Sequence, residues 1–590
     1  MMQITGAQLF VKALQAEQVD TLFAYPGGQA IDLFDALYGA AVPKVILPRH
    51  EQGLVHAADG YARSTGKTGV CLVTSGPGAT NLVTGIATAN YDSVPLVCFT
   101  GQVPTGLIGN DSFQEVDIVG ITRSITKYAV TVRRREELGS IIKKAFYIAA
   151  TGKPGVVLVD IPKDIQKALG SDSYPDTVEI RGYRPKPSVH IGQLRKALEL
   201  LNRSARPLFL VGGGVNIARA GREMTRLAEL TGVPVVSTIM GKGAVPSGHR
   251  LYVGNIGIHG SFAANLAVSK CDLLFSIGTR FNDRITGRTE TFAREASIVH
   301  IDIDAASISR NISVDIPVVA DAKSAISALL EKAEPLPTGE WLAQLERWKQ
   351  QHPLRMKPSA LSPQAILQAV NHCFEDAIIA TDVGQNQLWA TQFLALDEHR
   401  RLLTSGGLGT MGYGLPAAIG ASLGNPRTDV LVITGDGGMQ MNLQELATAV
   451  VYELPVIICI FNNSCLGNVR QWQEMFYQRR YSSTCLRYRK SCPVPCTGPG
   501  ENCPEYTPDF IRLAESYGAR GIRVTTPEDI EPALLEARNR KNGPTVIEFM
   551  IEREENVMPI VPAGNSLGDM ILGEEDNVYG KKMDQPAGRE

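Results

Sequence analysis

Short apolar runs that end in Gly- and Pro-containing turns alternate with amphipathic stretches along most of the chain. Near the N-terminus these runs read TLFAYPGG, KVILPRHE, GVCLVTSGPG, VPLVCFTG and GVVLVDIP. Strands that alternate with helices in this way form βαβ units, and repeated units build a doubly wound parallel sheet. The alternation therefore predicts an α/β chain built from doubly wound parallel sheets.

Two polar, proline-bearing segments divide this pattern into three blocks. They contain the sequences GSDSYPDTVEIRGYRPKPSVH and EKAEPLPTGE. Since a domain usually holds about 100–200 residues, we expect one α/β domain per block. The predicted limits are 1–167, 188–335 and 360–552, followed by a C-terminal tail at 553–590.

Composition and charge restrict the class of protein. Lys and Arg number 58 against 60 Asp and Glu, so the net charge of −2 favours neither nucleic acid nor a membrane surface as partner. No apolar run approaches the roughly 18 residues of a membrane span, and the N-terminus MMQITGAQLFVKAL lacks the pattern of a secretory signal. Six of the ten cysteines are scattered, mostly in apolar strands, which fits a reducing compartment better than a disulfide framework. We expect a cytoplasmic protein.

The segment LVITGDGGMQMNLQELATAVVYELPVIICIFNN carries the strongest chemical signal. In a right-handed βαβ unit both strands end at the same edge of the sheet, which brings Asp436 and Asn463 side by side. Carboxylate and amide oxygens suit Mg²⁺, and Gly435 and Gly437 allow backbone amides to approach a diphosphate. The alternative is a tight strand–helix turn with a capped strand end.

The segment contains GDG, then 24 residues (438–461), then NN. This arrangement resembles the motif with which thiamine diphosphate enzymes hold Mg²⁺ and the cofactor's diphosphate. The resemblance adds Gly438 to the diphosphate site. It also implies a third metal ligand two residues after the second Asn, at Cys465. A thiol is a poor ligand for Mg²⁺, so we expect the backbone carbonyl of Cys465 to serve.

Further segments narrow the resemblance to the catalytic large subunits of acetolactate synthase, from residue 4 to about residue 565. The segments are YPGGQA, RHEQGLVHAADGYARSTGKTGVCLVTSGPGATN, SFQEVDIVGITRSITKY, PGVVLVDIPKDIQ, GGLGTMGYGLPAAIGA and VRQWQEMFYQRRYS. The resemblance implies pyrimidine-binding, central FAD-binding and diphosphate-binding domains. It implies decarboxylation of pyruvate and transfer of the two-carbon unit to pyruvate or 2-oxobutyrate, in branched-chain amino acid biosynthesis.

The resemblance also assigns roles to single residues. Glu51 would hydrogen-bond the pyrimidine ring, and Met411 would bend the cofactor into its reactive shape. Lys163 would offer positive charge to the substrate carboxylate, and Trp472 would shape the acceptor pocket. Further residues would line the substrate or cofactor site: Gly28, Pro77, Asn81, Phe113, Gln114 and Gly409. Each of the four named first also has a plain structural alternative, such as dipole compensation at a helix start for Glu51.

The middle block raises the question of a flavin. LFLVGGGV is a weak dinucleotide signal by itself, but the resemblance implies FAD there although the reaction is not a redox one. The matching positions are Gly212, Gly213, Gly214, His259, Gly278, Arg280, Asp283, Arg284, Asp302 and Asp321. The chain departs mildly from the family at Asn282 and Lys153. Departures at Gln29 and Asn468, near the expected pocket, leave the acceptor preference open.

Three rival functions are compatible with parts of this pattern. A flavin-dependent pyruvate oxidase would pass electrons to FAD, and another carboligase or decarboxylase would use a different acceptor or donor. A non-catalytic binding protein would need losses at Asp436, Asn463 or Glu51, and all three are present. The resemblance implies a homodimer or tetramer with its active site between subunits, with a small regulatory subunit as a further candidate partner.

The region 485–506 contains four cysteines, Cys485, Cys492, Cys496 and Cys503, and reads as an insertion into the family pattern. The spacing C-x6-C-x3-C-x6-C is compact enough for zinc or an iron–sulfur cluster. It lacks the C-x2-C pairs of a strong metal motif. A loop with reduced thiols, a metal site and disulfides therefore all stay open.

Overall fold

Three six-stranded sheets account for the apolar runs and confirm the predicted α/β class. They are seen in a computed structural model that describes residues 3–356, 361–399, 401–494, 496, 498, 500, 503–506 and 508–573. The chain divides into two compact units, whose described residues fall within the following bounds. The first comprises Met1–Pro185, Asp376–Asn386 and Leu403–Arg553, and the second comprises Lys186–Glu375, Gln387–Leu402 and Glu554–Glu590.

The N-terminal sheet belongs to the first unit and has the strand order β3-β2-β4-β5-β7-β6, with every pair parallel. A separate antiparallel pair joins β1 to β8. The strands are β1 Gln3–Thr5, β2 Thr21–Ala24, β3 Lys44–Ile46, β4 Gly69–Val73, β5 Leu96–Gln102, β6 Tyr128–Thr131, β7 Val156–Pro162 and β8 Leu169–Ser171. The helices are α1 Gly6–Ala16, α2 Ile31–Leu37, α3 Glu51–Thr65, α4 Pro77–Thr80, α5 Val83–Tyr91, α6 Ile118–Thr122, α7 Leu138–Ala150 and α8 Lys163–Lys167.

Helices cover both faces of this sheet, which explains why its central strands are continuous apolar runs. Every residue of β4, β5 and β7 is buried. Phe10 of α1 and Phe146 of α7 pack in the core on one face. Leu54 of α3 and Ile86 of α5 pack in the core on the other face. Strands buried on both faces lose the alternation of apolar and polar residues.

The central sheet belongs to the second unit and has the parallel order β11-β10-β9-β12-β13-β14. Its strands are β9 Pro207–Val211, β10 Val235–Ser237, β11 Tyr252–Asn255, β12 Leu273–Ile277, β13 Ser297–Asp302 and β14 Ile316–Val319. The helices are α9 Ile191–Arg203, α10 Gly213–Ile217, α11 Gly221–Thr231, α12 Phe262–Lys270, α13 Asp283–Thr286, α14 Ala322–Leu330, α15 Gly339–Gln351 and α16 Pro363–Cys373.

The third sheet has the order β16-β15-β17-β18-β20-β19, and the pairs from β15 to β19 are parallel. Its strands are β15 Ile378–Thr381, β16 Arg401–Leu403, β17 Val430–Gly435, β18 Val456–Asn462, β19 Arg520–Val524 and β20 Thr545–Met550. The helices are α17 Gln385–Phe393, α18 Gly414–Gly424, α19 Asp436–Met439, α20 Glu445–Val451, α21 Gly467–Phe476, α22 Phe510–Ser516 and α23 Ile530–Asn539. Single 3₁₀ turns lie at Thr105–Leu107, Arg123–Ile125, Arg135–Glu137, Ile239–Gly241, Thr289–Thr291, Ala305–Ser307 and Pro527–Asp529.

Two glycines allow α3 and α18 to touch backbone to backbone within the first unit. A Cβ atom on Gly60 would lie 2.0 Å from the carbonyl oxygen of Ala417, and one on Gly420 would lie 1.8 Å from that of Ala57. Any larger side chain at these positions forces the helices apart. The contact joins the helix that starts at Glu51 to the helix that follows Met411.

Each sheet reverses its strand order at one point, between β2 and β4, between β9 and β12, and between β15 and β17. At such a point the connections after the two strands leave to opposite sides and open a crevice at the carboxyl ends, where α/β proteins bind ligands. The fold therefore offers three candidate crevices. Among the described residues, no helix is both long and apolar enough to cross a membrane.

Candidate active and cofactor sites

Asp436 and Asn463 lie at the carboxyl ends of neighbouring strands in the third sheet. The register pairs Gly435 of β17 with Phe461 of β18, so Asp436 leaves its strand beside Asn462 and Asn463. Asp436 is the first residue of α19, and Asn463 directly follows β18. The structure thus brings the two residues to one edge of the sheet, next to the reversal of strand order.

The Asp436 carboxylate is suited to a cation. The residue is 1% exposed, and its Oδ2 atom has no hydrogen-bond partner within the described part of the chain. Burial raises the pKa of this carboxyl group to about 7, although the amides of Gly437 and Ser464 lower it. A buried anionic oxygen without a donor is costly, and an oxygen-preferring divalent cation such as Mg²⁺ removes that cost. The residues present therefore fit the metal.

Asn463 is held by a chain of side-chain amides that the sequence did not single out. Its Nδ2 donates to Gln385 Oε1 at 3.1 Å, and Gln385 Nε2 donates to Gln471 Oε1 at 3.0 Å. The Oδ1 atom of Asn463 accepts from the amide and the thiol of Cys465, both at 3.3 Å. These two hydrogen bonds hold Cys465 against the Asn463 side chain in the short loop after β18.

The glycines after β17 lie against Met411 and against a buried carboxylate. A Cβ on Gly437 would lie 3.6 Å from Met411 Cε, and one on Gly438 would lie 2.4 Å from Asp382 Oδ1. The Asp382 carboxylate accepts from the amides of Gly412 and Gly414 at 3.0 and 3.1 Å, and so fixes the turn after Met411.

Asp382 was missed by the sequence analysis. Its burial raises the pKa of its carboxyl group, although backbone amides lower it. An Asp directly after the apolar run AIIAT was the signal that could have found it.

Glu51 begins α3 and is half-buried. Its Oε2 accepts from Asn81 Nδ2 at 2.9 Å, and its Oε1 lies 3.4 Å from the position of a Cβ on Gly78. The structure thus brings Glu51, Asn81 and the turn at Pro77 together at the carboxyl end of β4.

The turn that leads into Glu51 is fixed by Glu445, which the sequence analysis also missed. The amides of Arg49 and His50 donate to the Glu445 carboxylate at 3.1 and 2.9 Å, and Thr448 Oγ1 donates at 2.7 Å. Glu445 is 1% exposed. Its burial raises the pKa of the carboxyl group, against the effect of these hydrogen bonds.

The predicted substrate residues near the N-terminal sheet make separate contacts. Lys163 Nζ donates to the Gly28 carbonyl at 2.5 Å. Gln114 rests on the turn before Pro77, because a Cβ on Gly76 would lie 2.8 Å from the Gln114 carbonyl oxygen. Phe113 is 85% exposed.

Trp472 is half-buried and belongs to α21, one of the helices of the third sheet. The oxygens Gln29 Oε1 and Asn468 Oδ1, at two positions that depart from the family, are buried without a partner in the described chain.

The central sheet presents a glycine-lined cradle at its reversal point. A Cβ on Gly212 would lie 2.2 Å from the Gly278 carbonyl oxygen, and one on Gly214 would lie 2.7 Å from Gly278 Cα. Gly278 has a φ of +66°, which favours glycine. Gly213 begins α10 in the same turn. The amides of Gly212, Gly214 and Gly278 donate to the carbonyls of Ile277, Gly278 and Ile301, which fixes the turn. A glycine-rich strand–helix turn of this kind is where α/β proteins bind a dinucleotide pyrophosphate.

The remaining predicted flavin residues surround the carboxyl edge of this sheet. Asp302 ends β13 and accepts from the Asp304 amide at 2.8 Å, and Asp321 caps α14 by accepting from the Ser324 amide at 3.0 Å. His259 Nδ1 lies 3.2 Å from the Pro559 carbonyl oxygen, and burial lowers the pKa of its ring to about 4. The other three are Arg280, which is half-buried, and Asp283 and Arg284, which are exposed.

The four cysteines of the insertion do not gather their sulfur atoms into one ligand cluster in the part of the chain that the structure describes. Cys492 Sγ accepts from the Arg489 amide and Cys503 Sγ from the Gly500 amide, each at 3.3 Å. All four are thiols. Residues 495, 497, 499, 501 and 502 of the insertion lie outside the described residues. A metal at this site stays a prediction.

Comparison with known families matches three segments of the chain, one for each six-stranded sheet, to the domains of one class of enzyme. Residues 4–121 match the N-terminal TPP binding domain of thiamine pyrophosphate enzymes. Residues 194–329 match the central domain, and residues 382–549 match the C-terminal TPP binding domain. The predicted thiamine diphosphate-binding domains are therefore confirmed.

Curated relatives extend the match over nearly the whole chain. A probable acetolactate synthase large subunit of Methanocaldococcus jannaschii is 45% identical over 581 residues, covering 96% of this chain and 95% of that protein. The acetolactate synthase large subunit of Corynebacterium glutamicum is 44% identical, covering 96% and 90%. The isozyme 3 large subunit of Escherichia coli is 40% identical, covering 98% and 100%. With its three sheets and its Asp436–Asn463 edge, the chain belongs to the acetolactate synthase large-subunit family of thiamine pyrophosphate enzymes.

Proposed function

We propose that the chain decarboxylates pyruvate and transfers the two-carbon unit to a second pyruvate or to 2-oxobutyrate. The products are 2-acetolactate or 2-aceto-2-hydroxybutyrate, and the reaction serves branched-chain amino acid biosynthesis. The observation that carries the proposal is the buried, unpartnered Asp436 Oδ2 beside Asn463 at the reversal point of the third sheet. This is the arrangement that a Mg²⁺–diphosphate group requires.

The residues at this edge hold the cofactor in the proposed enzyme. Asp436, Asn463 and the carbonyl of Cys465 would hold Mg²⁺, and the turn of Gly435, Gly437 and Gly438 would hold the diphosphate. Gly409 and Met411 would support the cofactor, in a turn that the Asp382 contacts with Gly412 and Gly414 fix. Thiamine diphosphate, when bound there, would supply the nucleophilic and electron-accepting chemistry that decarboxylation of a 2-oxo acid needs.

Glu51 and its neighbours act on the proton and the substrate. The Glu51 carboxylate, oriented by Asn81, would form a hydrogen bond with the cofactor's pyrimidine ring. Lys163, held at the Gly28 carbonyl, attracts the carboxylate of the 2-oxo acid. Pro77, Phe113 and Gln114 line the donor side, and Trp472 shapes the pocket for the acceptor's side chain.

FAD is the proposed occupant of the central sheet. The close backbone packing of Gly212 and Gly214 against Gly278 forms a glycine-rich strand–helix turn, which supports a pyrophosphate site there. Arg280, Arg284, Asp302 and Asp321 surround that edge in the proposed site. The proposed reaction moves no electrons to the flavin, so we assign FAD a structural role.

The proposed assembly is a homodimer or a tetramer with the active site shared between subunits. Several relatives are named large subunits, which supports a smaller regulatory partner. We also propose domain limits at 1–167, 188–335 and 360–552, a tail at 553–590 and a cytoplasmic location. The matched ranges 4–121, 194–329 and 382–549 support these limits.

A product assay tests the function. Purified protein is supplied with pyruvate, Mg²⁺ and thiamine diphosphate, with 2-oxobutyrate as competitor, while dissolved oxygen is monitored. We expect acetolactate without oxygen uptake, and a mixed product when 2-oxobutyrate is added. Oxygen uptake on addition of pyruvate would identify an oxidase, and product from a different oxo acid alone would identify another carboligase. Either result contradicts the proposal.

A further inference from the structure

The chain that leaves α21 returns to the loop after Asn463 and pairs with it. Leu466 N donates to the Thr484 carbonyl at 2.8 Å, and Leu486 N donates to the Ser464 carbonyl at 2.9 Å. Between these two bonds, Cys465 and Cys485 lie directly opposite each other in an antiparallel bridge. We call Thr484–Leu486 the returning segment.

The register makes Cys465 and Cys485 a non-hydrogen-bonded pair, since both backbone bonds flank it. In such pairs the Cα atoms are about 4.5 Å apart and the side chains share one face. That separation lies within the range of about 4.4–6.8 Å that disulfides span. Both residues are thiols in the structure, and the Cys465 thiol donates to Asn463 Oδ1 at 3.3 Å.

Exposure distinguishes this pair from the other facing pair of cysteines in the described chain. Cys71 and Cys98 are neighbours on the parallel strands β4 and β5, and both are fully buried. A dissolved oxidant has no access to either. Cys465 is 3% exposed, but Cys485 is only half-buried. A dissolved oxidant can therefore reach Cys485. Cys465 is buried and reacts only after Cys485 has been oxidised.

We propose that Cys465 and Cys485 form a reversible disulfide by exchange with a low-molecular-weight disulfide. The Cys485 thiolate attacks one sulfur of the small disulfide, which forms a mixed disulfide and releases one thiol. The Cys465 thiolate then attacks the Cys485 sulfur and releases the second thiol. Two protein thiols are oxidised and one small disulfide is reduced to two thiols, so electrons and protons balance.

The bond ties the returning segment to the turn that carries the proposed metal site. Leu486 Cδ1 lies 3.5 Å from the position of a Cβ on Gly437, and Thr484 is 2% exposed. The segment thus covers the glycine turn after β17. Oxidation also removes the thiol proton that Cys465 donates to Asn463. The disulfide itself does not depend on the proposed function, because it forms between residues of this chain alone.

Peptide mapping tests the proposal on the full chain. The protein is incubated with oxidised glutathione, alkylated and digested, and cross-linked peptides are identified by mass spectrometry. We expect a peptide pair joined through Cys465 and Cys485, lighter by two hydrogen atoms and separated again by dithiothreitol. Cys71 and Cys98 should stay reduced under native conditions.

Two variants serve as matched controls. Cys485→Ser should abolish the cross-link and leave Cys465 as a thiol, whereas Cys492→Ser should leave the cross-link intact. A Cys485 that stops at the glutathione adduct, or that pairs with Cys492, Cys496 or Cys503 instead, would overturn the proposal. Both outcomes are read in the wild-type chain and need no catalytic activity.

Discussion

At the scale of single residues, the candidate active site depends on buried carboxylates that bond to backbone amides far away in the sequence. Asp382 holds the turn around Gly412, and Glu445 holds the turn that leads into Glu51. Asp436 is the contrasting case, because one of its oxygens has no donor among the described residues. Two carboxylates thus stabilise the protein's own loops, and the third is available for a cation.

Replacing Glu445 with alanine should lower both stability and turnover. The amides of Arg49 and His50 would lose their acceptor, at a cost of about 1–3 kcal/mol for each buried group left unsatisfied. The helix start at Glu51 would then be poorly positioned. Melting temperature and the pH profile of kcat report the two effects, with exposed Glu528→Ala as the control. An unchanged pH profile in Glu445→Ala would show that Glu445 does not position Glu51.

Asp160 should make stability depend on pH. Thr100, Gln102 and Thr131 donate to its carboxylate, but burial raises the pKa of the group from 3.8 to about 6. The folded state therefore holds a proton that the unfolded state releases between these values, so the contribution of Asp160 falls as pH rises through that window. The fall amounts to up to about 3 kcal/mol.

Comparison of wild type with Asp160→Asn isolates that contribution, because asparagine does not titrate. The difference in melting temperature between the two proteins should shrink from pH 4 to pH 7. A difference that stays constant over this range would contradict the assigned pKa.

Two neighbouring arginines of the central unit test the flavin site. Arg284 and Arg288 are almost equally exposed, with side-chain values of 59% and 60%. Only Arg284 belongs to the proposed FAD set. Arg284→Ala should lose flavin absorbance after purification, whereas Arg288→Ala should keep it with an unchanged melting temperature. Equal flavin content in the two variants would remove Arg284 from the site.

At the scale of elements, the contact of α3 with α18 joins a helix of the N-terminal sheet to a helix of the third sheet within the first unit. Gly420→Ala should destabilise the protein because the added Cβ would lie 1.8 Å from the Ala57 carbonyl oxygen. Overpacking of this kind costs about 1–3 kcal/mol, against a gain of about 1 kcal/mol in helix propensity. Gly106→Ala is the matched control, since nothing lies within 4 Å of its Cβ position. Equal melting temperatures would mean that the helices separate without cost.

The strands and the residues at their carboxyl ends were predictable from sequence. The distant hydrogen bonds that fix the loops of the site were not. The runs GVCLVTSGPG and LVITGDGG mark β4 and β17 because strands buried on both faces are continuously apolar. Asp436 and Asn463 followed from the right-handed βαβ rule. Glu445 bonds a turn almost 400 positions away, and no local pattern encodes such a contact. The pairing of Cys465 with Cys485 depends equally on the path of the returning segment.

At the scale of the whole molecule, one architectural rule recurs in all three sheets. The predicted residues Pro77 and Asn81, Gly212 and Gly278, and Asp436 follow strands that flank a reversal of strand order. A crevice at the carboxyl ends of the strands exists wherever the connections diverge. The same fold repeated three times thus supplies sites for a pyrimidine, a flavin and a metal-bound diphosphate in the proposed enzyme.

The most direct test of the central claim is acetolactate formation from pyruvate by the wild type and by Asp436→Asn, each measured with and without Mg²⁺. We expect product from the wild type only when Mg²⁺ and thiamine diphosphate are both present. We expect the rate of acetolactate formation to fall about 100-fold or more in Asp436→Asn, since a metal ligand matters at least as much as the groups that orient it. Activity of Asp436→Asn equal to that of the wild type, or product without Mg²⁺, would contradict the account.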